Sequence, residues 1–299
     1  MRGMKRFIAT ALAVVFAAAA CGGTATAPTA TPAASATSGK PKFELSTYMY
    51  SIQTKGKLRI GTQEDNTPFS VKNPATSKWE GFDVDVGREL AKAIFGAQGD
   101  PDSFIEYVPV TSATRIPSLT DNKADVIIKT FTINDERKQQ IDFSDIYFFT
   151  GQRILVKKSD DKIKEAADLA EKTVCAQRGS TSEKNITTAT SGKAKLLLLD
   201  SYPACLLALQ QGQADAVSTD ETILFGLVKQ DPNTKIVGKY FSEEPYGIGV
   251  KKNANGDRQG FVAFMNTWLA GIIRDGTWGK IYEKHITPVS GDKKQAPKG

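Results

Sequence analysis

Short β-like runs alternate with amphipathic helical runs from Lys57 onward, in two successive sets. The first set predicts strands over 58–61, 104–108 and 125–128 and a helix in which Phe82, Val86, Leu90 and Ile94 recur at helical spacing. The second set predicts strands over 173–176, 196–199 and 214–218 and helices over 182–190, 204–211 and 221–229. Each set is long enough for one lobe of roughly a hundred residues, so the pattern predicts an α/β protein of two lobes.

The stretch after residue 246 has no strand set of its own. Its helical patterns continue through residues 261–281, so we expect it to pack back on the first lobe. The predicted organisation is a first lobe over 43–150, a second lobe over 151–246, a return segment over 247–288 and a disordered tail over 289–299.

Residues 1–20 have the pattern of an export signal. A short basic segment ending at Arg6 precedes an uncharged apolar run, which is shorter than the roughly 20 residues that a membrane-spanning helix needs. Three alanines lead into Cys21, and this sequence resembles the lipobox of bacterial lipoproteins; ordinary signal-peptidase cleavage after an A-x-A sequence is the alternative. Residues 21–42 are rich in Gly, Ala, Thr, Ser and Pro and predict a flexible linker. We therefore expect an extracytoplasmic protein, anchored to the cell membrane by a lipid on Cys21.

The distribution of charge argues against a polyanionic partner. The chain has 39 Lys and Arg against 33 Asp and Glu, a net charge of +6, but the excess lies mainly in the leader, the linker and the tail. The folded body is therefore close to neutral, and no nucleic-acid partner is expected. His285 is the only histidine, and the sequence contains no nucleotide-binding, zinc-protease or serine-hydrolase motif. We expect no catalytic residue, no metal and no cofactor.

Cys175 and Cys205 follow the predicted signal and therefore lie in an oxidising compartment. Such a pair favours a disulfide over a redox or metal site, with two separate buried thiols as the alternative. The bridge would close a loop of about 31 residues and stabilise the fold by roughly 3–4 kcal/mol.

One predicted helix start contains Gly179, Ser180, Thr181 and Glu183. Ser180 and Glu183 have the spacing of a capping box, which would only stabilise the helix. A glycine followed by hydroxyls and free N–H groups at the positive end of a helix also forms an anion site. The sequence is consistent with either role.

Two other helix starts carry opposite charges. Arg137 falls in the first turn of a predicted short helix, where the helix dipole disfavours a cation unless it faces an anion. Its guanidinium either binds a ligand carboxylate or pairs with Asp135, Glu136 or Asp142. Asp220 follows the last predicted strand of the second set, so it is either a helix N-cap or a carboxylate that receives an ammonium group at the ligand-binding edge of the sheet.

A series of short motifs extends from residue 57 to residue 284. They are Gly61 with Pro68-Phe69, Gly81-Phe82-Asp83-Val84-Asp85, Ile116-Pro117-Ser118-Leu119, Thr132-Ile133-Asn134-Asp135-Glu136-Arg137, Ile141-Asp142-Phe143-Ser144, Gly179-Ser180-Thr181, Ala214-Asp215-Ala216-Val217 with Asp220, Tyr246-Gly247-Ile248 and Asp275-Gly276-Thr277-Trp278. In this order and spacing they resemble the motifs of the extracytoplasmic amino-acid-binding proteins of ABC importers, the polar amino acid solute-binding family.

The resemblance implies a type II periplasmic-binding-protein-like clamshell with two hinge strands, near 148–155 and 244–250. In the family, the residue matching Arg137 holds the ligand α-carboxylate, with help from the positions of Thr132 and Thr181. The residue matching Asp220 holds the α-ammonium, with Thr130 nearby. Closure of the lobes would bring these groups together.

The resemblance also implies a polar side-chain pocket. Asn66 and Ser112 stand where glutamine- or basic-amino-acid-binding relatives have aromatic or apolar residues. Arg115 and Ser112 match residues that contact the ligand side chain in glutamate/aspartate-binding relatives, although an arginine at a helix start is also common as a solvated surface residue. Gln63 replaces a second arginine of some glutamate binders.

Two further cations have no fixed role at this point. Lys129 and Arg178 stand where small or hydroxyl residues are common in the family. Either cation could replace the missing arginine or face solvent, so Arg178 is included with Ser180 among the candidate ligand-binding residues.

The function that the resemblance implies is capture of L-glutamate, with aspartate or glutamine as secondary ligands, and delivery to an ABC permease. The cysteine pair also resembles one in actinobacterial-type glutamate-binding lipoproteins. A monomer that catalyses nothing is expected. The alternatives are an enzyme on the same fold, such as a cyclohexadienyl dehydratase, and a module that reports amino acids to a membrane kinase.

Overall fold

A computed structural model describes residues 40–292 and 296–297. The predicted signal over 1–20, Cys21 and most of the predicted linker lie outside the described residues. Within the described part of the chain, no helix is both long enough and apolar enough to cross a membrane.

The chain forms thirteen strands and ten α-helices over its described residues. The strands are β1 (Leu58–Thr62), β2 (Asp65–Asn66), β3 (Ser70–Lys72), β4 (Trp79–Glu80), β5 (Ile105–Pro109), β6 (Val126–Ile127), β7 (Ile141–Thr150), β8 (Gln152–Lys157), β9 (Thr173–Gln177), β10 (Lys195–Leu199), β11 (Ala216–Asp220), β12 (Thr234–Val237) and β13 (Glu244–Lys251). The helices are α1 (Tyr48–Lys55), α2 (Phe82–Phe95), α3 (Arg115–Thr120), α4 (Asp135–Lys138), α5 (Thr181–Ala189), α6 (Tyr202–Gln210), α7 (Glu221–Gln230), α8 (Phe261–Arg274), α9 (Thr277–His285) and α10 (Thr287–Ser290).

Two five-stranded sheets confirm the predicted α/β class. The first has the order β5-β1-β6-β13-β7, and the second has the order β10-β9-β11-β8-β12. In each sheet the strands of the βα units are parallel. The strands next to the places where the chain passes from one sheet to the other, β7, β8 and β13, pair in antiparallel fashion. We refer to the first sheet with its helices as the first lobe and to the second sheet with its helices as the second lobe.

The two lobes are joined where the chain passes from one sheet to the other. A single residue, Gly151, separates β7 of the first sheet from β8 of the second. A Cβ atom on Gly151 would lie 2.4 Å from the ring of Tyr240, on the segment that leads back towards β13. Glycine is therefore required here because the two crossing segments approach too closely for a side chain.

The return segment packs on the first lobe. Helix α8 lies against β7 and α9 lies against α2. The Trp278 indole of α9 donates a hydrogen bond of 2.7 Å to the backbone oxygen of Tyr147 in β7, and its ring meets Phe82 of α2 edge-on. Burial of these aromatic rings supplies much of the driving force for this packing.

Element ends differ from the sequence prediction in two places that have clear causes. Helix α6 begins at Tyr202, because the Ser201 hydroxyl accepts from the N–H of Ala204 and caps the helix there. At the other end of the chain, α10 continues to Ser290, two residues into the segment that was predicted as a disordered tail. The Thr287 hydroxyl bonds to the backbone oxygen of Asp292 and Gly291 adopts a left-handed φ of 73°, which together close this last turn.

Cys175 of β9 and Cys205 of α6 form a disulfide, as the sequence predicted, with their Cα atoms 5.5 Å apart. Both residues are fully buried. The bridge joins a central strand of the second sheet to the helix that covers it.

Candidate functional site

A small cavity lies between the two lobes. Most of the residues predicted to bind a ligand line it, from both lobes: Ser112, Arg115, Thr130, Thr132, Ser180, Thr181 and Asp220. Lys129, Ser182, Tyr202 and Ile223 complete the lining. The site therefore occupies the edge of the sheets where strands end and helices begin, which is where open α/β sheets bind ligands.

Arg137 is held beside this cavity by neutral groups. The Asn134 side chain accepts from the Arg137 N–H and starts α4, and Nη1 of Arg137 donates 2.7 Å to the backbone oxygen of Thr132. The guanidinium carbon lies 5.1 Å from the centre of the Phe131 ring, and burial lowers the pKa of Arg137 to about 10. Among the described residues it forms no ion pair, so the alternatives with Asp135, Glu136 or Asp142 do not occur.

Arg115 is buried rather than exposed on the surface, with 2% of the residue accessible. Its guanidinium carbon lies 4.0 Å from the centre of the Phe131 ring, and Nη1 donates to the backbone oxygens of Lys129 and Thr130 at 3.2 and 3.4 Å. Its Nε atom has no partner in the described part of the chain. Burial, and then the neighbouring Arg137 charge, lowers the pKa of Arg115 well below its usual value.

Lys129 also faces the cavity, with only 1% of the residue accessible. Its Nζ donates to Oγ of Ser112 at 2.7 Å and to Oε1 of Gln177 at 3.1 Å. Burial, and then the Arg115 charge, lowers the pKa of Lys129 well below its usual value. A third basic side chain therefore lies in the cavity, and it shares the Gln177 amide with Gln63.

Gln177, which sequence reasoning missed, orients this end of the cavity. Its Oε1 accepts from Ser112 and Lys129 of the first lobe, and its Nε2 donates to Gln63 at 2.9 Å and to the backbone oxygen of Asp200 at 2.6 Å. The amide thus has four hydrogen bonds, three of them across the lobe boundary. A glutamine at the end of a strand gave no sequence signal for this role.

Arg178 does not belong to the site. Its side chain is exposed, donates to the backbone oxygen of Leu198 at 2.8 Å and lies 3.5 Å from the Asp200 carboxylate. Of the two cations without a fixed role in the sequence, Lys129 enters the cavity and Arg178 stays in solvent.

Asp220 presents a free carboxylate oxygen to the cavity. Its Oδ2 accepts a hydrogen bond from the Tyr246 hydroxyl, whereas its buried Oδ1 has no partner among the described residues. Asp220 ends β11 and occupies the N-cap position of α7, but its side chain makes no capping bond to the helix. Burial, and then the nearby charge of Glu244, raises the pKa of Asp220 to about 8.

Thr130 is held in an unusual backbone conformation, with a φ of 38°. Its N–H donates 2.9 Å to Oδ2 of Asp83, whose Oδ1 accepts from the Tyr147 hydroxyl at 2.9 Å. Asp83 is fully buried, and this burial raises the pKa of its carboxyl group to about 7. The strained turn directs the Thr130 side chain towards Asn66, whose amide donates to the threonine hydroxyl at 3.4 Å.

The predicted capping box at the start of α5 does not form. Glu183 accepts from the N–H of Gly179 at 3.3 Å, but the Ser180 hydroxyl makes no capping bond. Instead, Oγ of Ser180 is buried and has no partner within residues 40–292. It therefore remains available to a ligand in the cavity.

The hydroxyls of Thr132 and Thr181 both donate to one carboxylate oxygen, Oε2 of Glu244, at 2.6 and 2.8 Å. Each hydroxyl has a single proton, so in this arrangement both can only accept from a ligand. The sequence resemblance implied that they assist Arg137 in holding a carboxylate, and the structure gives their protons to Glu244 instead. Glu244 was missed because its sequence position indicated only a hinge strand.

The cavity can bind a molecule that carries both an anionic and a cationic group. Arg115 and Lys129 supply buried donors in its lining, Arg137 lies beside the lining residue Thr132, and Asp220 supplies an unpaired acceptor. Over the described ranges there is no cluster of three or more His, Cys, Asp or Glu side chains that could hold a metal ion.

Comparison with known proteins gives a family match over most of the chain. The model of the bacterial extracellular solute-binding proteins, family 3, matches residues 58–288. The glutamine-binding protein of Geobacillus stearothermophilus is 46% identical over 202 residues, which cover 67% of this chain and 75% of the relative. The glutamate-binding protein GluB of Corynebacterium glutamicum is 32% identical over 238 residues, which cover 77% of this chain and 79% of the relative.

A solved structure also bears on the enzyme alternative. The ancestral amino acid-binding protein AncCDT-1, a precursor of cyclohexadienyl dehydratase, is 34% identical with a TM-score of 0.71. The alignment covers 80% of this chain and all of that one (100%).

Proposed function

The chain belongs to the bacterial extracellular solute-binding proteins of family 3, and from this premise we propose that it captures L-glutamate outside the cytoplasm and delivers it to an ABC permease. Aspartate and glutamine are the secondary ligands of this proposal. Its relatives are named as binding proteins for glutamine and glutamate, which supports a polar amino acid as the ligand.

The observation that carries the proposal is the charge around the cavity. Arg115, Lys129 and Arg137 are buried without an ion pair to any residue that the structure describes, and one carboxylate oxygen of Asp220 is unpaired. Buried charges are costly unless an opposite charge compensates them. An amino acid with two carboxylates and one ammonium group is the small molecule that compensates these groups best.

The ligand orientation follows from the positions of these groups. The α-carboxylate pairs with Arg137, for which the planar fork of a guanidinium is well suited. The ammonium group pairs with Oδ1 of Asp220, close to the lone pairs of Thr132 and Thr181. The side-chain carboxylate then reaches Lys129 and Arg115, which are oriented by Gln177 and Phe131.

Glutamine is the second candidate because the relative with 46% identity is named a glutamine-binding protein. Lys129 and Arg115 can also donate to an amide oxygen. Only glutamate brings a full negative charge to these side chains, whereas glutamine brings the dipole of a neutral amide. We therefore expect glutamate to bind roughly ten- to a hundred-fold more tightly than glutamine.

The proposed role is binding without catalysis. The likeness to a precursor of cyclohexadienyl dehydratase keeps an enzyme as the alternative, since function on a shared fold depends on the site. Arg137 and Asp220 form a pair suited to holding a zwitterion unchanged. Incubation with prephenate or arogenate checks this, and a dehydrated product would contradict the proposal.

The proposed location is the outer side of the cell membrane, with a lipid on Cys21 as the anchor and a monomeric binding body. Labelling with radioactive palmitate tests the anchor in the expression host. We expect label in the native chain and none in a Cys21→Ser variant; equal label in both would contradict lipidation at this residue. Transport assays with the membrane proteins encoded beside this chain distinguish delivery to a permease from signalling to a membrane kinase.

The direct test of the ligand is calorimetry of the full chain against Glu, Asp, Gln, Asn, Arg and His. We expect the tightest binding for Glu, with a micromolar dissociation constant, about −8 kcal/mol. Arg137→Ala should abolish binding of both Glu and Gln, whereas Arg274→Ala, an exposed arginine in the last turn of α8, serves as the control and should bind normally. Tightest binding of Arg or His would overturn the proposal.

A further inference from the structure

Glu244, the first residue of the returning hinge strand β13, is a buried carboxylate without an ion pair in the described part of the chain. Only 1% of the residue is accessible. Its charge is instead stabilised by four hydrogen bonds, two to each oxygen: Thr132 and Thr181 donate to Oε2, and Asn185 and Ser242 donate to Oε1 at 2.7 and 2.6 Å. A carboxylate with all its acceptor positions occupied in this way is fixed in orientation.

The two donors to Oε2 come from different lobes. Thr132 follows β6 of the first sheet, and a bridge pairs its backbone with Tyr246 of β13. Thr181 is the first residue of α5, which follows β9 of the second sheet. Their hydroxyl oxygens lie 3.5 Å apart, and opening of the lobes would separate them and break at least one of the bonds to Glu244.

We propose that Glu244, through the hydroxyls of Thr132 and Thr181, is a latch that holds the two lobes closed around the cavity. Glu244 is thus a positioning residue: it acts on binding through the closed arrangement of the lobes and does not need to touch the ligand. The ligand then binds to a protein whose closed state is already populated.

The latch has a direct consequence for affinity. When only a fraction of the protein is closed, the apparent dissociation constant is the intrinsic one divided by that fraction. Charge-assisted hydrogen bonds from two lobes to one buried carboxylate favour the closed state more than neutral bonds would. Loss of the latch should therefore weaken every ligand of the site by a similar factor.

Ser242 provides a matched control. Its hydroxyl donates to Oε1 of the same carboxylate, but it lies two residues before Glu244 on the same segment and so does not join the lobes. Ser242→Ala removes one hydrogen bond from Glu244 and leaves in place the bonds from Thr132 of the first lobe and from Thr181 and Asn185 of the second. If Glu244 only anchored the hinge strand, Ser242→Ala should shift lobe closure as Glu244→Gln does. If Glu244 is the latch, Ser242→Ala should leave lobe closure unchanged.

The test measures lobe closure without ligand, by small-angle X-ray scattering of the unliganded full chain. In Glu244→Gln and Thr181→Val we expect the ratio of closed to open protein to fall about tenfold or more, seen as a larger radius of gyration than in the native chain. Ser242→Ala should match the native chain. Thr181→Val is the second variant because it removes one hydroxyl and leaves the buried carboxylate in place if Glu244→Gln fails to fold.

Calorimetry with glutamate then completes the test, and this part alone depends on the proposed function. The apparent dissociation constant of Glu244→Gln should rise by the same factor as the closed fraction falls. An unchanged radius of gyration in both latch variants, or an equal effect of Ser242→Ala, would overturn the latch. The scattering measurement uses no ligand, so the two proposals are tested separately. The latch can be disproved while glutamate binding is confirmed, and glutamate binding can be disproved while the latch is confirmed.

Discussion

The Tyr246 hydroxyl donates a hydrogen bond to Oδ2 of Asp220 and leaves Oδ1 of the same carboxylate free to face the cavity. Tyr246 belongs to β13 of the first sheet, and Asp220 ends β11 of the second. The phenol thus fixes the carboxylate from the opposite lobe and selects which oxygen meets a ligand. Two predictions concern the protonation of this carboxylate.

Binding of an amino acid should tighten as the pH rises from 6 to 8. In the free protein Asp220 has a pKa of about 8 and is mostly protonated at pH 6. A bound ammonium group lowers this pKa, so binding releases a proton below pH 8 and is favoured by a higher pH. Calorimetry with glutamine, whose side chain is uncharged, should show a gain of about tenfold or more over this range, levelling above pH 8. A flat profile in the native chain, or an equally steep one in Asp220→Asn, would contradict this assignment.

Tyr246→Phe should shift the same profile to higher pH. Removal of the phenol proton takes away a hydrogen bond that stabilises the ionised carboxylate, so the pKa of Asp220 rises further. At pH 7 the affinity should fall by roughly three- to tenfold, and it should recover at higher pH. The measurement is the same pH series, and a loss that is independent of pH would instead indicate damage to packing.

Lys129→Met should weaken glutamate more than glutamine. Methionine keeps the length of the buried side chain but removes the cation that we place near the ligand side chain. We expect the ratio of the two dissociation constants to change by roughly ten- to a hundred-fold, measured by calorimetry. Arg115→Ala should change the ratio in the same direction. Lys123→Met, an exposed lysine, is the control; equal losses for both ligands would remove Lys129 from the side-chain pocket.

Gly226→Ala should block closure without unfolding either lobe. Gly226 lies on α7 of the second lobe, and a Cβ atom there would approach the backbone oxygen of Thr67, in the first lobe, to 2.1 Å. The clash exists only when the lobes are together, so we expect the affinity to fall about tenfold or more and the melting temperature to change little. Gly279→Ala, a helical glycine with open space around it, is the control. Native affinity in Gly226→Ala would show that the helix and the loop do not meet in the bound state.

Removal of the disulfide should lower stability and spare the site. Its cysteines are 30 residues apart in sequence, which corresponds to about 3–4 kcal/mol on the loop-closure estimate. For a chain of this size we expect the melting temperature of Cys175→Ala/Cys205→Ala to fall by roughly 6–15 °C. Thermal unfolding followed by circular dichroism measures this. The native chain with reductant should show the same loss, and an unchanged melting temperature in the double variant would contradict this prediction.

The sequence was sufficient for most strands and helices of the two five-stranded sheets, but it gave no prediction for α1 or for the small sheet of β2, β3 and β4. Periodicity predicted the strands that lead to Thr130, Ser180 and Asp220. Apolar residues two positions apart mark the buried face of a strand, and apolar residues four positions apart mark the buried face of a helix. Three local alternatives were decided only by the fold. Asp220 makes no capping bond, Arg137 has no acidic neighbour as a partner, and Lys129 rather than Arg178 enters the cavity.

The groups that sequence reasoning missed act across long distances in the chain. Glu244 meets Thr132 at a separation of 112 residues, and Gln177 meets Gln63 at 114. Phe131 supports both Arg115 and Arg137 with one ring, and nothing in the local sequence pattern indicated this role. Such contacts depend on how the lobes come together, and no local pattern in a single sequence reports that.

The place of β13 in the first sheet sets an order in which the chain can be assembled during synthesis. All strands of the second sheet lie within the continuous stretch from Gln152 to Val237, so that sheet can form as soon as this stretch has emerged. The first sheet begins much earlier but has a gap between β6 and β7 until Lys251 has been made. The lobe that is started first is therefore completed last, and the residue that begins its final strand, Glu244, arrives after every donor to its carboxylate is already in the chain.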